Sequence, residues 1–170
     1  MLIRPATTAD WAAIHPFFAA IVAAGRTYAY PLDLSSEAAA ALWMERPPGR
    51  TVVAVDERDR VLGSAKLGPN RPGRGAHIGT ASFMVDPAES GRGIGRALAE
   101  FVIEQCRADG YHGIQFNAVV ETNHAAVHLW RSLGFGIVGT VPEAFDHPEY
   151  GLVGLHVMYL SLADGSVAQG

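Results

Sequence analysis

Cysteine is almost missing from these 170 residues: Cys106 stands alone, so no disulfide closes within the chain, and the composition fits a reducing cytoplasm. Lysine is as scarce. Lys66 is its single representative, so Schiff-base chemistry would have to rest on that one residue. No apolar run approaches the roughly eighteen residues of a membrane span, and the chain does not open on a basic segment followed by an apolar stretch, so neither a membrane nor a secretory leader is expected. Basic excess is also lacking: a net charge of −4 disfavours nucleic acid, whose binding needs cations that displace counterions from phosphates.

Apolar residues make up 49% and charged residues 18%, the balance of a chain that buries a core. The length predicts one domain, 1–162, with a flexible tail at 163–170. Leu2–Pro5 reads as a first strand. Thr7 and Asp10 stand at capping-box spacing before a helix whose apolar face carries Trp11, Ile14, Phe17, Phe18, Ile21 and Val22. Pro16 should kink or split that helix, and Gly25 ends it. An aromatic loop, Arg26–Leu34, leads to a second helix capped by Ser35 or Ser36, which runs to about Glu45 and stops before Pro47 and Pro48. Arg50–Asp56 and Arg60–Leu67 form a hairpin, Gly68–Gly75 a loop, and Ala76–Val85 the next strand. A helix at Gly95–Ala108, a strand at Gly113–Val120, a helix at Asn123–Leu133 and strands at Phe135–Val141 and Leu152–Leu162 complete the pattern. Strands dominate the middle, with a helix on either side of the fifth strand, a pattern that predicts an α/β (α+β) fold with a mixed sheet rather than a regular doubly wound one.

The most informative stretch is Ser82–Arg107. Gly91, Gly93 and Gly95 remove side chains where strand gives way to helix, so the backbone N–H groups of Ser90, Gly91, Gly93 and Ile94 approach an anion at a positive helix end. Arg92 and Arg96 add charge suited to phosphates. The spacing is not the dinucleotide fingerprint, and no Gly-Lys-Ser or Gly-Lys-Thr follows, which disfavours NAD and ATP. With Asn123-His-Ala-Ala-Val-His-Leu-Trp-Arg-Ser-Leu-Gly-Phe135 about thirty residues on, the chain resembles the GNAT superfamily of N-acetyltransferases from Leu2 to about Leu162. Gly93 and Gly95 match the two small positions of the family's cofactor motif, while Ser90 stands where Arg or Gln is usual.

The resemblance implies a mainly antiparallel sheet flanked by helices, acetyl-CoA as cosubstrate, a homodimer, pairing of the pantetheine arm with the main chain of Met84–Val85, and Asn123 bonded to the pantetheine amides. The family's usual tyrosine acid is replaced by Trp130, whose indole is no useful proton donor. Many relatives keep a glutamate on the strand that here offers His77, Thr80 and Ser82. Pro69–Gly73, Ala81–Val85 and Asn117–Asn123 resemble fungal N-acetyltransferases of azetidine-2-carboxylate and other proline analogues. In that group the match of Asn117 helps bind the substrate carboxylate, and Thr80 replaces a second asparagine.

Asn117 and Thr80 are therefore the candidate acceptor residues. Tyr28, Tyr30, Phe145, His147 and Tyr150 are candidate loop aromatics around the acceptor, and Glu121 reads as a solvated strand end. His124 and His128 share a helix face without a third ligand, so no metal is expected. The expected acceptor is a small-molecule amine, an amino or imino acid being one option, attacked within a ternary complex. A non-catalytic acyl-CoA-binding module and a transferase for protein N-termini or lysines are the alternatives. Amine deprotonation is the harder part of such a reaction: an alkyl amine of pKa about 10.4 is so rarely neutral at pH 7 that the handicap is about 4–5 kcal/mol.

Overall fold

A computed structural model describes residues 1–163; the remainder of the expected tail lies outside the described residues. The strands are β1 (Leu2–Pro5), β2 (Arg50–Val55), β3 (Val61–Pro69), β4 (Ile78–Val85), β5 (Gly113–Val120), β6 (Gly136–His147) and β7 (Gly151–Ser161). The helices are α1 (Trp11–Ala24), α2 (Ser36–Trp43), α3 (Ile94–Ala108) and α4 (His124–Ser132). One seven-stranded sheet runs in the order β1-β2-β3-β4-β5-β7-β6. Every neighbour pair is antiparallel except β4 with β5, which α3 joins as a parallel crossover.

The apolar run of β2 is explained by burial on both faces. Val53 and Val55 meet Ile14, Phe18 and Trp43 of α1 and α2. Val52 and Ala54 meet Leu98 and Val102 of α3 on the other side. Helix α3 lies close on β3 because residue 63 is glycine: a Cβ there would stand 2.9 Å from the Met84 carbonyl oxygen and 3.2 Å from Ile94. The buried Trp43 indole donates to Ser64 Oγ at 2.9 Å, and Ser64 donates onward to the Val52 carbonyl.

Helix α1 begins where the sequence places it. The Asp10 carboxylate accepts from the Thr7 amide at 2.7 Å and the Thr7 hydroxyl at 2.9 Å, and takes two bonds from Arg4 at 2.9 Å each. Gly25, at φ 63°, ends the helix in the left-handed region. The break expected at Pro16 does not occur; α1 is one helix from Trp11 to Ala24. Both Pro16 and Ala12, whose carbonyl loses a partner, face solvent, so water satisfies the freed group.

Two extents differ from the sequence expectation. Strand β3 continues through Gly68 and Pro69, pairing with Thr80 and Gly79, so the expected loop shortens and ends in a single 3-10 turn at Gly73–Gly75. Strand β6 runs on to His147, taking Phe145 and His147 out of a loop and into register with Val153 and Gly151. Irregular pairing between Val141 and Phe145, with Glu143 at φ 54°, hides that continuation from the residue pattern.

Arg4 hydrogen bonds, chiefly, hold the Asp10 carboxyl well below the usual carboxylate range. The stability it contributes is thus complete above pH of about 4 and is lost as pH falls further through the lowered native value. Asp10→Asn should cost about 2 kcal/mol in urea unfolding at neutral pH, with the gap to wild type closing in acid.

Candidate active site

Strands β4 and β5 touch only at Ile78–Gly113 and Gly79–Ile114. Beyond that point they part. Behind the gap sits an aromatic wedge: Phe83 lies 4.9 Å from Trp130, and Phe116 lies 4.8 Å from Trp130 and 4.4 Å from Phe135, ring centre to ring centre. On β5 the pairing with β7 slips between Phe116 and Val119, which bulges Asn117 and Ala118. The gap opens into a cavity of about 660 Å³ lined by Thr80–Val85, Phe116–Val119, Tyr28, Tyr30, Ser90, Asn123 and Trp130 among others.

Parted strands leave main-chain groups unpaired. Asp86 donates to the Leu62 carbonyl, and Met84 and Ser82 face Ser64 and Lys66 in the same β3 register. By alternation the peptide groups of Ala81, Phe83 and Val85 face the open edge. Val85, rather than Met84, therefore presents its main chain to the gap, while the Met84 side chain is buried in the α1–α2 core. The groups of Phe83 are taken: the Tyr28 hydroxyl donates to its carbonyl at 2.6 Å and accepts from its amide at 3.0 Å.

At the open end of β4 the chain turns over the N-terminus of α3. Gly91 and Gly93 hold φ of 79° and 76°, and Gly93 is the N-cap residue. A Cβ at either would meet nothing within 4 Å, so backbone conformation, not space, calls for glycine there. Among the described residues no acceptor takes the N–H groups of 91–95, which leaves a row of donors at a positive helix end. Ile94 contributes only its main chain, its side chain being core. Gly95 lies closest to Val85 and Leu129, which brings α3 against both β4 and α4.

The arginines around this turn are partly engaged. Glu89, buried beneath it, accepts from Arg60 at 2.6 Å and from Arg92, and these bonds, Arg60 first, hold its carboxyl below the ordinary range. Arg96 donates to Ser132 Oγ at 2.7 Å and pairs with Glu100 at 3.6 Å. Both guanidiniums are more than two-fifths exposed and remain reachable by an anion.

The other end of the cavity is polar but uncharged. Gln115 donates to Asn117 Oδ1 at 2.9 Å, and Asn117 donates to Asn70 Oδ1 at 2.7 Å. Thr80 stands on β4 opposite Gly68 and lines the same space. Asn123 caps α4, its Oδ1 accepting from Ala126 at 3.2 Å, while its Nδ2 is left for the cavity. Several candidates fall elsewhere. His77 is exposed and meets only the ring of His112 edge-on. Phe145, His147 and Tyr150 do not line the cavity, because β6 carries the first two away along the sheet. Glu121 is not a solvated strand end: it accepts from the Gly154 amide, and Glu121 donates back to the Gly154 carbonyl at 3.0 Å. Asn70 and the Tyr28–Phe83 bridge are additions of the fold; the first lay in the Pro69–Gly73 segment, and the second left no pattern in sequence.

The chain matches the family model described as Acetyltransferase (GNAT) family over residues 16–135. It is 33% identical to N-acetyltransferase aca1 of Schizosaccharomyces pombe over 57% of this chain and spans about half of that protein (46%). It is 36% identical to an L-methionine sulfoximine/L-methionine sulfone acetyltransferase of Pseudomonas aeruginosa over 66% of each chain, and 31% identical to the L-amino acid N-acyltransferase MnaT of Escherichia coli over 84% of each. Among solved structures, a GCN5-related N-acetyltransferase from Kribbella flavida superposes with a TM-score of 0.93 at 58% identity, covering 95% of this chain and 97% of that one. The structure of yncA from Salmonella typhimurium with its cofactor acetyl-CoA gives 0.80 at 27% identity, over 96% and 95%.

The turn makes a prediction of its own. Gly93→Ala should cost about 1–2 kcal/mol in denaturant unfolding, the penalty of a left-handed L-residue, whereas Gly136→Ala on exposed β6 should be near neutral.

Proposed function

Since the chain belongs to the GNAT family of acetyltransferases and is an N-acetyltransferase, we propose that it moves an acetyl group from acetyl-CoA to the amine of a small amino or imino acid, by direct attack in a ternary complex. The carrying observation is continuity: Ser90 lines the cavity at the β4–β5 gap and leads into the unpaired N–H donors of Gly91–Gly95, while Asn117, bonded to Asn70, lines the same cavity with an uncharged amide. This geometry suits the cosubstrate. The diphosphate would lie on the main chain of Ser90–Gly95 with Arg92 and Arg96 at its flank. The pantetheine arm would pair with the Val85 peptide over Met84, with Asn123 Nδ2 on an arm amide. The bound thioester supplies an activated acetyl group.

The acceptor then enters from the α1–α2 side. Asn117, oriented by Gln115 and Asn70, would hold its carboxylate, and Thr80 would bond the amine or its ring. Support for an amino-acid-like acceptor comes from the relatives named for methionine sulfoximine and for L-amino acids. Among the described residues no carboxylate, imidazole or ammonium lines the cavity, so the amine must arrive neutral and its surplus proton passes to water. The same reading takes residues 1–162 as one catalytic domain, cytoplasmic, acting as a homodimer through the β6–β7 hairpin, where Val138, Val141 and Leu152 are exposed.

Turnover of acetyl-CoA against a panel of amino acids, imino acids and alkyl amines, read by thiol release, tests this. At pH below the acceptor's own pKa, kcat/KM should rise about tenfold per pH unit and shift with the acceptor. Asn117→Ala should raise KM for the acceptor at least tenfold and leave acetyl-CoA affinity unchanged. No release with any amine would sink the proposal.

A further inference from the structure

Position 130, where the family's tyrosine stands, holds a buried indole packed among Phe83, Phe116 and Phe135 and carries no hydroxyl. The ring of Trp130 rests on Phe83 at 4.9 Å, and the main chain of that same Phe83 carries the hydroxyl of Tyr28. A phenol thus reaches the β4 edge from the opposite wall of the same cavity. Its ring is held firmly: it stacks on Tyr30 at 5.4 Å and meets Trp43 edge-on at 6.1 Å.

We propose that Tyr28 supplies the hydroxyl that position 130 lacks, turning its O–H from the Phe83 carbonyl to the sulfur of the leaving thiolate as the thioester breaks. This rests on the acetyl-transfer reading above. In the transfer, the neutral acceptor nitrogen bonds the acetyl carbon, the carbon–sulfur bond breaks with its electron pair leaving on sulfur, and the nitrogen's surplus proton passes to water. A hydroxyl has one hydrogen, so its bond to the Phe83 carbonyl must open for this. The Phe83 amide keeps donating to the phenol oxygen at 3.0 Å throughout, which anchors the group and strengthens it as a donor.

The exchange favours the transition state. At rest the donor is satisfied by a neutral carbonyl; during transfer it meets a developing anion, for which hydrogen bonds are stronger. Burial pushes the phenol above its ordinary value, so Tyr28 stays protonated. Its proton is not given up, since a thiolate of pKa about 8.5 is a weaker base than a phenolate of about 10. Tyr28 stabilises the leaving group, and water protonates it afterwards.

The test compares wild type with Tyr28→Phe, using Tyr150→Phe, an exposed tyrosine outside the cavity, as control. Bound CoA is titrated by the ultraviolet absorbance of its thiolate, and turnover and melting temperature are recorded alongside. The bound thiol should ionise about one pH unit lower in wild type than in Tyr28→Phe, a tenfold difference in the equilibrium. The rate constant kcat should fall roughly tenfold to a hundredfold, with affinity for CoA at low pH unchanged. Adding Trp130→Tyr to Tyr28→Phe should recover part of both. Identical thiol titrations in the two proteins, or a kcat loss matched by a collapse in melting temperature with no recovery from Trp130→Tyr, would overturn the proposal. A wild type that shifts the thiol titration yet acetylates nothing would count against the acetyl-transfer reading instead.

Discussion

Two paired residues separate a closed sheet from an open one. Strands β4 and β5 hydrogen-bond at Ile78 and Gly79 and nowhere further along, and every feature of the site follows from that parting. Phe83, Phe116 and Trp130 fill the space behind it, so the strands cannot close back on one another without expelling three rings. The bulge at Asn117–Ala118 draws β5 away in front. What remains is an edge inside a sheet, where unpaired peptide groups are protected from solvent and from other chains yet available to an extended ligand. The glycine turn stands at one end of that edge, and the amide cluster at the other.

The cavity's electrical neutrality shapes the chemistry as much as its form. A carboxylate beside the amine would help remove a proton, but it would also hold a cationic amine in its unreactive state. This chain lines the cavity with amides, hydroxyls, apolar side chains and aromatic rings, and keeps its charges outside in pairs such as Glu89 with Arg60 and Lys66 with Glu45. On the proposed function such a site would discriminate by how readily an acceptor loses its proton in water, to the gain of weakly basic amines over strongly basic alkyl amines.

Much of this was legible in the residues themselves. Local rules operate over three or four positions, so the Thr7–Asp10 cap, the Gly25 stop, the Gly91–Gly95 turn and the amphipathic face of α3 could be read directly. The rest depends on distant partners. Tyr28 meets Phe83 across 55 positions and Asn117 meets Asn70 across 47, and no periodicity records either contact. Strand β6 was read too short because its register breaks at Val141–Phe145, where the alternation that marks a strand is interrupted. Glu121 reads as solvated in sequence because its partner is a backbone amide on β7, a group every residue but proline has.

The central claim is that the parted β4–β5 edge is the seat of the thioester arm. A crystal structure of the chain with CoA tests it most directly. The account predicts the diphosphate on the main-chain N–H groups of Gly91–Gly95 and the arm hydrogen-bonded to the Val85 peptide between the two strands. A diphosphate settled instead against Arg58 and Arg60, in the cleft they form with Met1 and Asp56 beside Arg92, with the N–H groups of Gly91–Gly95 and the β4–β5 gap left vacant, would contradict it.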